Sequence, residues 1–528
     1  MTHDVDVVVV GAGPAGMTAS LLLARSGHSV TLVEKWPRAY PQPRAIGLDH
    51  EVRRILHSAG LDDRIEQVIL EGREDECAEY VTADGEILMS QPAAGYGCSG
   101  FREMVGFHQP DIEAMLEQLI ADTPLITVMR DTIATDVEQF NDGVSLRYLD
   151  GDGQGNPRAD RAGGALTARY LIGADGANST IASQMGADFT DLGFAAEWLV
   201  VDIRPTVERE WLPHLGQVLD PSRPTTLAPA GPGRRRFEFM LVPGETRESM
   251  SSPEVAWNLL AKWDVTPDNA VLERSVPYRF IARWANNWRN GRVFIAGDAA
   301  HLTPPFLGQG MNAAVRDAAN LAGHLNLVLD GRAPDTVLDH YTDERLPHAR
   351  VLIERAVELG KQICITDPEA ARQRDAVLRQ VRDSGAEIPL GGFPRLTSGV
   401  LAVGNPLAGT LSHQGRVEHD GRTGLFDDVC ASGCYMLIGL DVDPVAMLDA
   451  RARDTWRRLR GRSAQVGKNA PYQDIDGTYE AWLAGAGVSF VLVRPDFYVF
   501  GSGRSAAEAN RLILELGGKL GMLSTATS

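Results

Sequence analysis

The stretch Asp4-Val-Asp-Val-Val-Val-Val10-Gly11-Ala-Gly13-Pro-Ala-Gly16 decides the fold of this chain. Its apolar part does not alternate with polar residues, which is typical of a strand buried on both faces of a parallel sheet. Residues 15–26 have a helical composition, and residues 29–34 form a second strand pattern. The succession predicts a right-handed βαβ unit and therefore a Rossmann-like α/β domain.

Each glycine of this turn has its own task in a dinucleotide site. Gly11 allows the tight turn, Gly13 lets a pyrophosphate approach the backbone, and Gly16 lets the helix pack closely on the sheet. The helix N-terminus adds N–H donors and a positive dipole for the phosphates. Glu34, at the end of the second strand, is placed to accept hydrogen bonds from ribose hydroxyls. The residues predicted to bind the dinucleotide here are Gly11, Gly13, Ala15, Gly16, Glu34 and Lys35.

The composition limits what the protein binds. Its 51 Lys and Arg stand against 70 Asp and Glu, a formal net charge of −19, which favours small molecules over nucleic acid or anionic membranes as partners. No apolar run approaches the roughly 20 residues that a membrane-spanning helix needs. The N-terminus is acidic where a secretory signal would be basic, so we expect a cytoplasmic protein. The five cysteines lack a Cys-x-x-Cys pair, which predicts reduced, structural thiols and no metal site.

The chain divides into regions of different composition. Residues 78–89 and 199–250 are rich in strand patterns and predict a second, antiparallel sheet. The composition changes again after Pro394, and the patterns that follow predict a strand at 429–440, a helix at 446–459 and a strand at 489–493. We therefore place a boundary near residue 395.

A second glycine-rich motif begins at Arg292 and includes Gly297-Asp298 and Pro304-Pro-Phe-Leu-Gly308-Gln-Gly310-Met-Asn312. A strand delivers Asp298 to its carboxyl end, where ligands bind in α/β folds, and the two later glycines precede a helix. The motif resembles the second FAD fingerprint of the class A flavoprotein monooxygenases. Asp175, in Gly-Ala-Asp-Gly-Ala-Asn-Ser, resembles that family's Asp-Gly segment. The resemblance implies FAD-binding residues at Asp175, Asp298, Gly308, Gly310, Met311 and Asn312.

Two further positions carry the resemblance to the flavin site. Arg44 lies in a loop where the family has an arginine that helps the nicotinamide reach the flavin, and Gln109 matches a family glutamine near the flavin. The alternative for Arg44 is an exposed arginine without a role. Ala182 departs from the family, which has arginine there, and helix capping is the alternative role for Ser179.

The resemblance covers the chain to about residue 375 and extends to the phenol hydroxylases typified by 3-(3-hydroxyphenyl)propionate hydroxylase. It implies a p-hydroxybenzoate hydroxylase-like fold: an FAD-binding domain at 1–394, interleaved with a β-sheet substrate domain at about 76–106 and 187–280. Residues 395–528 resemble the thioredoxin-like C-terminal domain of such enzymes. Without Cys-x-x-Cys this domain cannot exchange dithiols, so a packing role or a homodimer contact is expected.

The chemistry that the resemblance implies is hydroxylation of a phenol. NADH or NADPH reduces FAD, O₂ adds to give a flavin C4a-hydroperoxide, and one oxygen passes to the ring ortho or para to an existing hydroxyl. The residues expected at the reacting centre are Arg44, Pro304 and Pro305.

The substrate residues are sought on the second sheet. Arg236, Phe237, Phe239 and Phe306 are the candidates, with Arg236, Arg102 or His301 as a cation for an acidic substrate. Alternation separates the two strand phenylalanines from Arg236, but it does not tell which face is the inner one. Core packing is the alternative for both phenylalanines and for His301.

Other functions remain open at this point. A polyketide- or antibiotic-tailoring hydroxylase would share every motif above, and a non-catalytic flavin carrier would keep the glycines. A halogenase is disfavoured because Trp284-Ala-Asn-Asn-Trp288 does not match the tryptophan motif of that class.

Overall fold

The computed structural model describes residues 3–72, 76–93, 95–158, 163–385 and 393–522. In chain order its strands are β1 (Val5–Val10), β2 (Val30–Glu34), β3 (Gly47–Asp49), β4 (Ile69–Glu71), β5 (Cys77–Val81), β6 (Ile87–Pro92), β7 (Met104–Phe107), β8 (Ile126–Arg130), β9 (Thr132–Phe140), β10 (Gly143–Asp150), β11 (Gly164–Gly173), β12 (Phe189–Pro205), β13 (Leu215–Val218), β14 (Thr225–Pro229), β15 (Arg235–Met240), β16 (Ala270–Ala285), β17 (Arg289–Asn290), β18 (Val293–Ile295), β19 (His301–Leu302), β20 (Arg416–His419), β21 (Arg422–Leu425), β22 (Met436–Leu440), β23 (Arg462–Gly467), β24 (Tyr472–Asp474), β25 (Phe490–Val493) and β26 (Val499–Gly503). Its α-helices are α1 (Pro14–Arg25), α2 (His50–Ser58), α3 (Gln109–Ala121), α4 (Thr180–Gln184), α5 (Pro253–Leu260), α6 (Gly310–Leu329), α7 (His340–Ile363), α8 (Pro368–Asp383), α9 (Phe426–Val429), α10 (Ala450–Leu459), α11 (Thr478–Gly485) and α12 (Ala506–Lys519).

The first sheet carries the predicted βαβ unit. Its strand order is β17-β18-β11-β1-β2-β8, and β10 and β9 extend it from β11. β1 runs parallel to both β2 and β11, and Val7, Val8 and Val9 are fully buried. The prediction from the opening stretch is confirmed, because a strand in the centre of a parallel sheet is covered on both faces.

The second sheet is built from two separated stretches of chain. Its order is β19-β16-β12-β15-β14-β13-β5-β6, and its pairs are antiparallel except β13 with β5. The prediction of a second, largely antiparallel sheet is confirmed. A small third sheet has the order β3-β7-β4. In chain order its strands come after β2 and before α3.

The C-terminal part has a seven-stranded sheet of its own, in the order β21-β20-β24-β23-β22-β25-β26. The sequence pattern placed a helix at 446–459, but α10 begins only at Ala450, because Asp449 caps it by accepting from the N–H of Ala452. Phe500, Leu512 and Leu516 of this part join the same core cluster as the first sheet. The division at residue 395 and the thioredoxin-like assignment stay predictions.

None of the helices in the described ranges is long and apolar enough to cross a membrane.

Candidate active site

The first glycine turn leaves an open space at the start of α1. Gly11 has φ +104°, and a Cβ there or at Gly16 would collide with backbone carbonyl groups, whereas no atom lies within 4 Å of a Cβ built on Gly13. Gly13 is also the N-cap of α1, and no side chain caps that helix. The first N–H groups of α1 therefore point into a space that can hold a phosphate.

Glu34 lies at the carboxyl end of β2 beside this turn. Its carboxylate accepts hydrogen bonds from the N–H of Ala12 (2.7 Å) and of Trp36 (2.9 Å). These bonds fix the side chain at the strand end, and each oxygen keeps a second acceptor site for a ribose hydroxyl. Lys35 is exposed, with its ammonium 5.7 Å from the ring centre of Trp36.

The second motif brings a loop and another helix N-terminus to the same place. Gly297 follows β18 with φ +61°, and a Cβ there would touch Ala15 of α1 and Ala314 of α6. The two helices therefore converge on this glycine. Asp298, half-buried, stands at the carboxyl end of β18, as predicted from the sequence pattern.

A buried carboxylate holds this loop. Asp317 of α6 accepts from the N–H of Gly297 (3.1 Å), from His301 (2.8 Å) and from Arg345 (2.9 Å). Burial opposes the ionisation of Asp317, but the interactions with His301 and Arg345 outweigh it and hold the pKa of the carboxyl below its ordinary value. His301 is itself buried and stacks on Trp288, so it is a packing residue and not a cation for the substrate.

The loop before α6 has free space beside its glycines and is held in place by the side chain of Asn312. Gly308 has φ +63°, and a Cβ on Gly308 or Gly310 would meet nothing within 4 Å. The side chain of Asn312 donates to the carbonyls of Gly308 (2.7 Å) and Gly47 (3.0 Å). The predicted cofactor residue Asn312 thus shapes the loop with its side chain, and Met311 packs partly into the core. No side chain caps α6.

These features fit an FAD molecule. Two uncapped helix N-termini meet at one glycine, and the glycines beside them leave room where any side chain would intrude. The N-terminus of α1 would hold the diphosphate, and that of α6 would favour negative charge on the flavin ring.

Asp175 lies behind the first turn, where its carboxylate caps α4. It accepts from the hydroxyl of Ser179 (2.5 Å) and the N–H of Thr180 (2.7 Å), while Ser179 accepts from the N–H of Ala182 (2.8 Å). Burial raises the pKa of Asp175. The capping alternative therefore describes the Ser179 side chain, and the backbone of Asp175 is what approaches Gly11.

The Arg44 loop is held by Gln109. The side-chain oxygen of Gln109 accepts from the N–H of Arg44 (3.0 Å) and of Ala45 (2.7 Å), and its nitrogen donates to Glu113 (2.6 Å). The amide of Gln109 therefore positions the Arg44 loop, and its predicted place near the flavin stays a prediction. The side chain of Arg44 is exposed and remains available for a ligand.

Arg236 supports the same loop from the second sheet. Its guanidinium makes two bonds to Asp202 (2.7 and 2.8 Å) and donates to the carbonyls of Arg44 (2.6 Å) and Pro43 (3.1 Å). Arg274 also donates to Pro43. The prediction that Arg236 binds the substrate is corrected, because Asp202 and the two loop carbonyls take up four of its N–H groups and fix it in place. Arg102 pairs with Glu71 and lies over the ring of Tyr96.

Phe237 and Phe239 lie on the face of the sheet turned away from the loop. They stack on each other and pack against Trp211 and Trp263, and they are 0% and 1% exposed. The expectation that they line the substrate is corrected to core packing. The sequence could not decide this, because all residues of β15 except Met240 are buried.

The other side of the sheet, called here the inner face, is turned to the two flavin loops. Strand registers place these residues on it: Trp198, Val200, Asp202, Arg236, Glu238, Met240, Arg274 and Tyr278. Phe306, next to the predicted Pro304 and Pro305, meets this face by packing edge-on against Trp198 (5.8 Å between ring centres) and Phe280 (6.1 Å). The sequence reasoning found Phe306 but missed its partners, which lie on strands about 25 to 110 positions away.

The fold and the two glycine loops define a flavin-binding protein of the α/β class. Residues 4–356 match the family described as FAD binding domain, and residues 409–517 match the HcaD C-terminal domain. The chain is 33% identical over 519 residues to a probable NADH-specific resorcinol 4-hydroxylase of Rhodococcus jostii (strain RHA1), covering 97% of this chain and 94% of the relative. It is 30% identical over 568 residues to a 3-(3-hydroxy-phenyl)propionate/3-hydroxycinnamic acid hydroxylase of Comamonas testosteroni, with 94% of each covered.

Solved structures show the same fold. The flavin-dependent monooxygenase PieE superposes with a TM-score of 0.81 at 22% identity, covering 99% of this chain and all of PieE. Aklavinone-11 hydroxylase superposes with a TM-score of 0.77 at 26% identity and the same coverage. The chain belongs to the family of FAD-dependent aromatic monooxygenases and is an aromatic hydroxylase. This membership supports an enzyme over the flavin-carrier alternative.

Proposed function

We propose that the protein uses NADH to hydroxylate a small, uncharged phenol of the resorcinol type. FAD, when bound, supplies the electron transfer and the activation of O₂. The rest of the task falls to the chain, which must hold the ring beside the flavin and keep water out.

The proposal of an uncharged substrate rests on one observation: the buried arginines near the site are already paired. Arg236 and Arg274 reach the inner face, where both are paired with Asp202 and both donate to carbonyls of the Arg44 loop. Glu238 adds a carboxyl group to the same face. The two arginines are balanced by the two carboxyl groups Asp202 and Glu238. A substrate carboxylate would therefore add a buried negative charge without a cation of its own, which is costly, whereas a second phenolic hydroxyl meets no such penalty. The likeness to the NADH-specific resorcinol hydroxylase supports the same choice.

The test compares NADH and NADPH oxidation by the FAD-loaded protein with resorcinol, 3-(3-hydroxyphenyl)propionate and a polycyclic phenol, with product masses recorded. We expect NADH oxidation to accelerate with resorcinol and the product to gain one oxygen atom. If only the propionate is hydroxylated, the uncharged substrate is wrong, and if only the polycyclic phenol is, the tailoring alternative takes its place. Acceleration without a gain of oxygen would identify an uncoupling effector. The homodimer and the cytoplasmic location stay predictions.

A further inference from the structure

Glu238 occupies the middle of the inner face. The register of the sheet places it opposite Val200 on one side and Thr226 on the other. Along its own strand, Arg236 holds the Arg44 loop, and Met240 lies opposite Trp198, the residue that meets Phe306. Glu238 therefore lies between the contacts that the sheet makes with the two loops bracketing the flavin site.

The side chain of Glu238 is mostly buried, but its carboxylate has no hydrogen-bond partner in the described part of the chain. Its side chain is 9% exposed, and its nearest charged atom is the Arg236 guanidinium at 3.8 Å, beyond hydrogen-bond distance. Within the described ranges no hydrogen bond to its carboxylate is found. Other buried carboxylates, Asp202, Asp317 and Glu344, each accept several bonds. Polar groups of mostly buried side chains are normally paired, so the unused acceptor oxygens of Glu238 on this face are open to a ligand.

The charged and titratable groups near Glu238 come from three strands. Asp202 on β12, Arg236 on β15 and Arg274 and Tyr278 on β16 share the inner face with it. Burial raises the pKa of Glu238, the two arginines lower it, and Asp202 raises it again, with a net rise. A carboxyl group with a raised pKa is a better proton acceptor at neutral pH than an ordinary one.

We propose that Glu238 accepts the hydrogen bond and then the proton of the substrate's phenolic hydroxyl, an inference that rests on the proposed function. The O–H bond of the phenol breaks, the proton passes to a carboxylate oxygen of Glu238, and the electron pair stays on the phenol oxygen. That oxygen then releases electron density to the ortho and para carbons of the ring. After the oxygen transfer, the hydroxylated ring carbon gives up its hydrogen as a proton to solvent and the ring becomes aromatic again. Glu238 returns its own proton to the phenol oxygen, so it is unchanged by a turnover.

The test replaces Glu238 by Gln, which keeps the size but cannot accept a proton. With resorcinol at neutral pH we expect coupled product formation to fall by about 100-fold or more, the range of general base catalysis. The rate should recover as the pH approaches the substrate's own pKa, near 10 for a phenol, because solution then supplies the phenolate. The dissociation constant of resorcinol, read from the flavin absorbance change, should rise about tenfold through loss of a charge-assisted hydrogen bond.

Two further variants keep the test decisive. Glu273→Gln is the matched control, because Glu273 is a carboxylate of the same sheet whose oxygens are taken up by Arg204 and Arg234; it should keep the wild-type rate and pH profile. Glu238→Asp keeps the carboxyl group and should retain part of the activity even if Glu238→Gln folds poorly.

The outcomes separate the two proposals. If the wild type hydroxylates none of the phenols, the proposed function fails. If the wild type hydroxylates a phenol and Glu238→Gln keeps its rate, pH profile and ligand affinity, the role of Glu238 is overturned while the function stands.

Discussion

We predict that single residues at the first glycine turn determine whether the flavin can bind. Gly13→Val would place two methyl groups in the space where no protein atom lies within 4 Å, and they would block the approach of the diphosphate. We expect the purified variant to lack FAD while it stays folded. The measurement is the ratio of flavin to protein absorbance together with circular dichroism.

A matched control lies in the C-terminal part. Gly485 is also without neighbours within 4 Å, but it is exposed at the end of α11. Gly485→Val should keep the full amount of flavin. Stoichiometric FAD in Gly13→Val would show that the predicted diphosphate site lies elsewhere.

Replacing the guanidinium of Arg236 tests how the Arg44 loop is held. Arg236→Lys keeps the charge beside Asp202 but loses the planar fork that bonds Asp202 and two carbonyls at once. We expect the rate of flavin reduction by NADH to fall at least tenfold, because Arg44 is no longer positioned. Stopped-flow absorbance measures this rate, and Arg234→Lys, whose half-buried side chain pairs with Glu273, serves as the control. An unchanged reduction rate in Arg236→Lys would show that the position of the Arg44 loop does not affect how the nicotinamide reaches the flavin.

At the scale of elements, the N-terminus of α6 depends on one amide. The side-chain NH₂ of Asn312 donates to the carbonyls of Gly308 and Gly47. In Asn312→Asp a carboxylate oxygen takes the place of this donor and is repelled by the two carbonyls. We expect FAD to bind at least tenfold more weakly, since a buried unsatisfied group costs about 1–3 kcal/mol. Fluorescence titration of the apoprotein with FAD measures this. Asn326→Asp, further along α6 beside His28, should bind FAD as the wild type does, and equal affinities for all three proteins would contradict the role of Asn312.

The sequence predicted where strands and helices begin and end better than it predicted which of their faces is turned to the site. The glycine turns fix the ends of β1, β18 and their helices locally, so the positions of these turns and helix starts could be predicted from residue order alone. The inner face of β15 could not, because it depends on the pairing of Arg236 with Asp202, 34 positions earlier. Arg235 and Arg236 are both buried, so burial does not distinguish the two faces either. Long-range register decides which side chains meet the substrate, and a single sequence does not state that register.

At the scale of the whole molecule, the C-terminal part is tied to the flavin-binding part by buried charges. Arg494, next to β25, donates to Glu344 of α7 (2.5 and 2.8 Å) and to Asp496 (2.8 Å). Asn320 of α6 bonds both carboxylates, at 2.7 and 2.9 Å. α6 also begins at the flavin loop, so one helix connects the cofactor site to this interface.

Arg494→Met should therefore destabilise the protein in a pH-dependent way. Burial opposes the ionisation of Glu344, but Arg494 and His324 outweigh it and hold its pKa well below the ordinary value. A depressed pKa contributes stability above the unfolded pKa, near 4.3, and this contribution is lost as the pH falls through the folded pKa. Without Arg494 a buried charge loses its main partner, at a cost of about 3–5 kcal/mol near pH 7. The penalty should shrink as the pH falls, because Glu344 then takes up a proton instead of staying charged.

Urea unfolding of the wild type and Arg494→Met at about pH 8 and about pH 5 distinguishes this from a plain packing defect. The difference between their unfolding midpoints should be larger at the higher pH. Arg457→Met removes an exposed partner of Asp454 and should cost less than about 1 kcal/mol at either pH. A midpoint difference that is the same at both pH values would mean that Arg494 acts through packing, because only a charge left without its partner makes the loss of stability follow the protonation of Glu344.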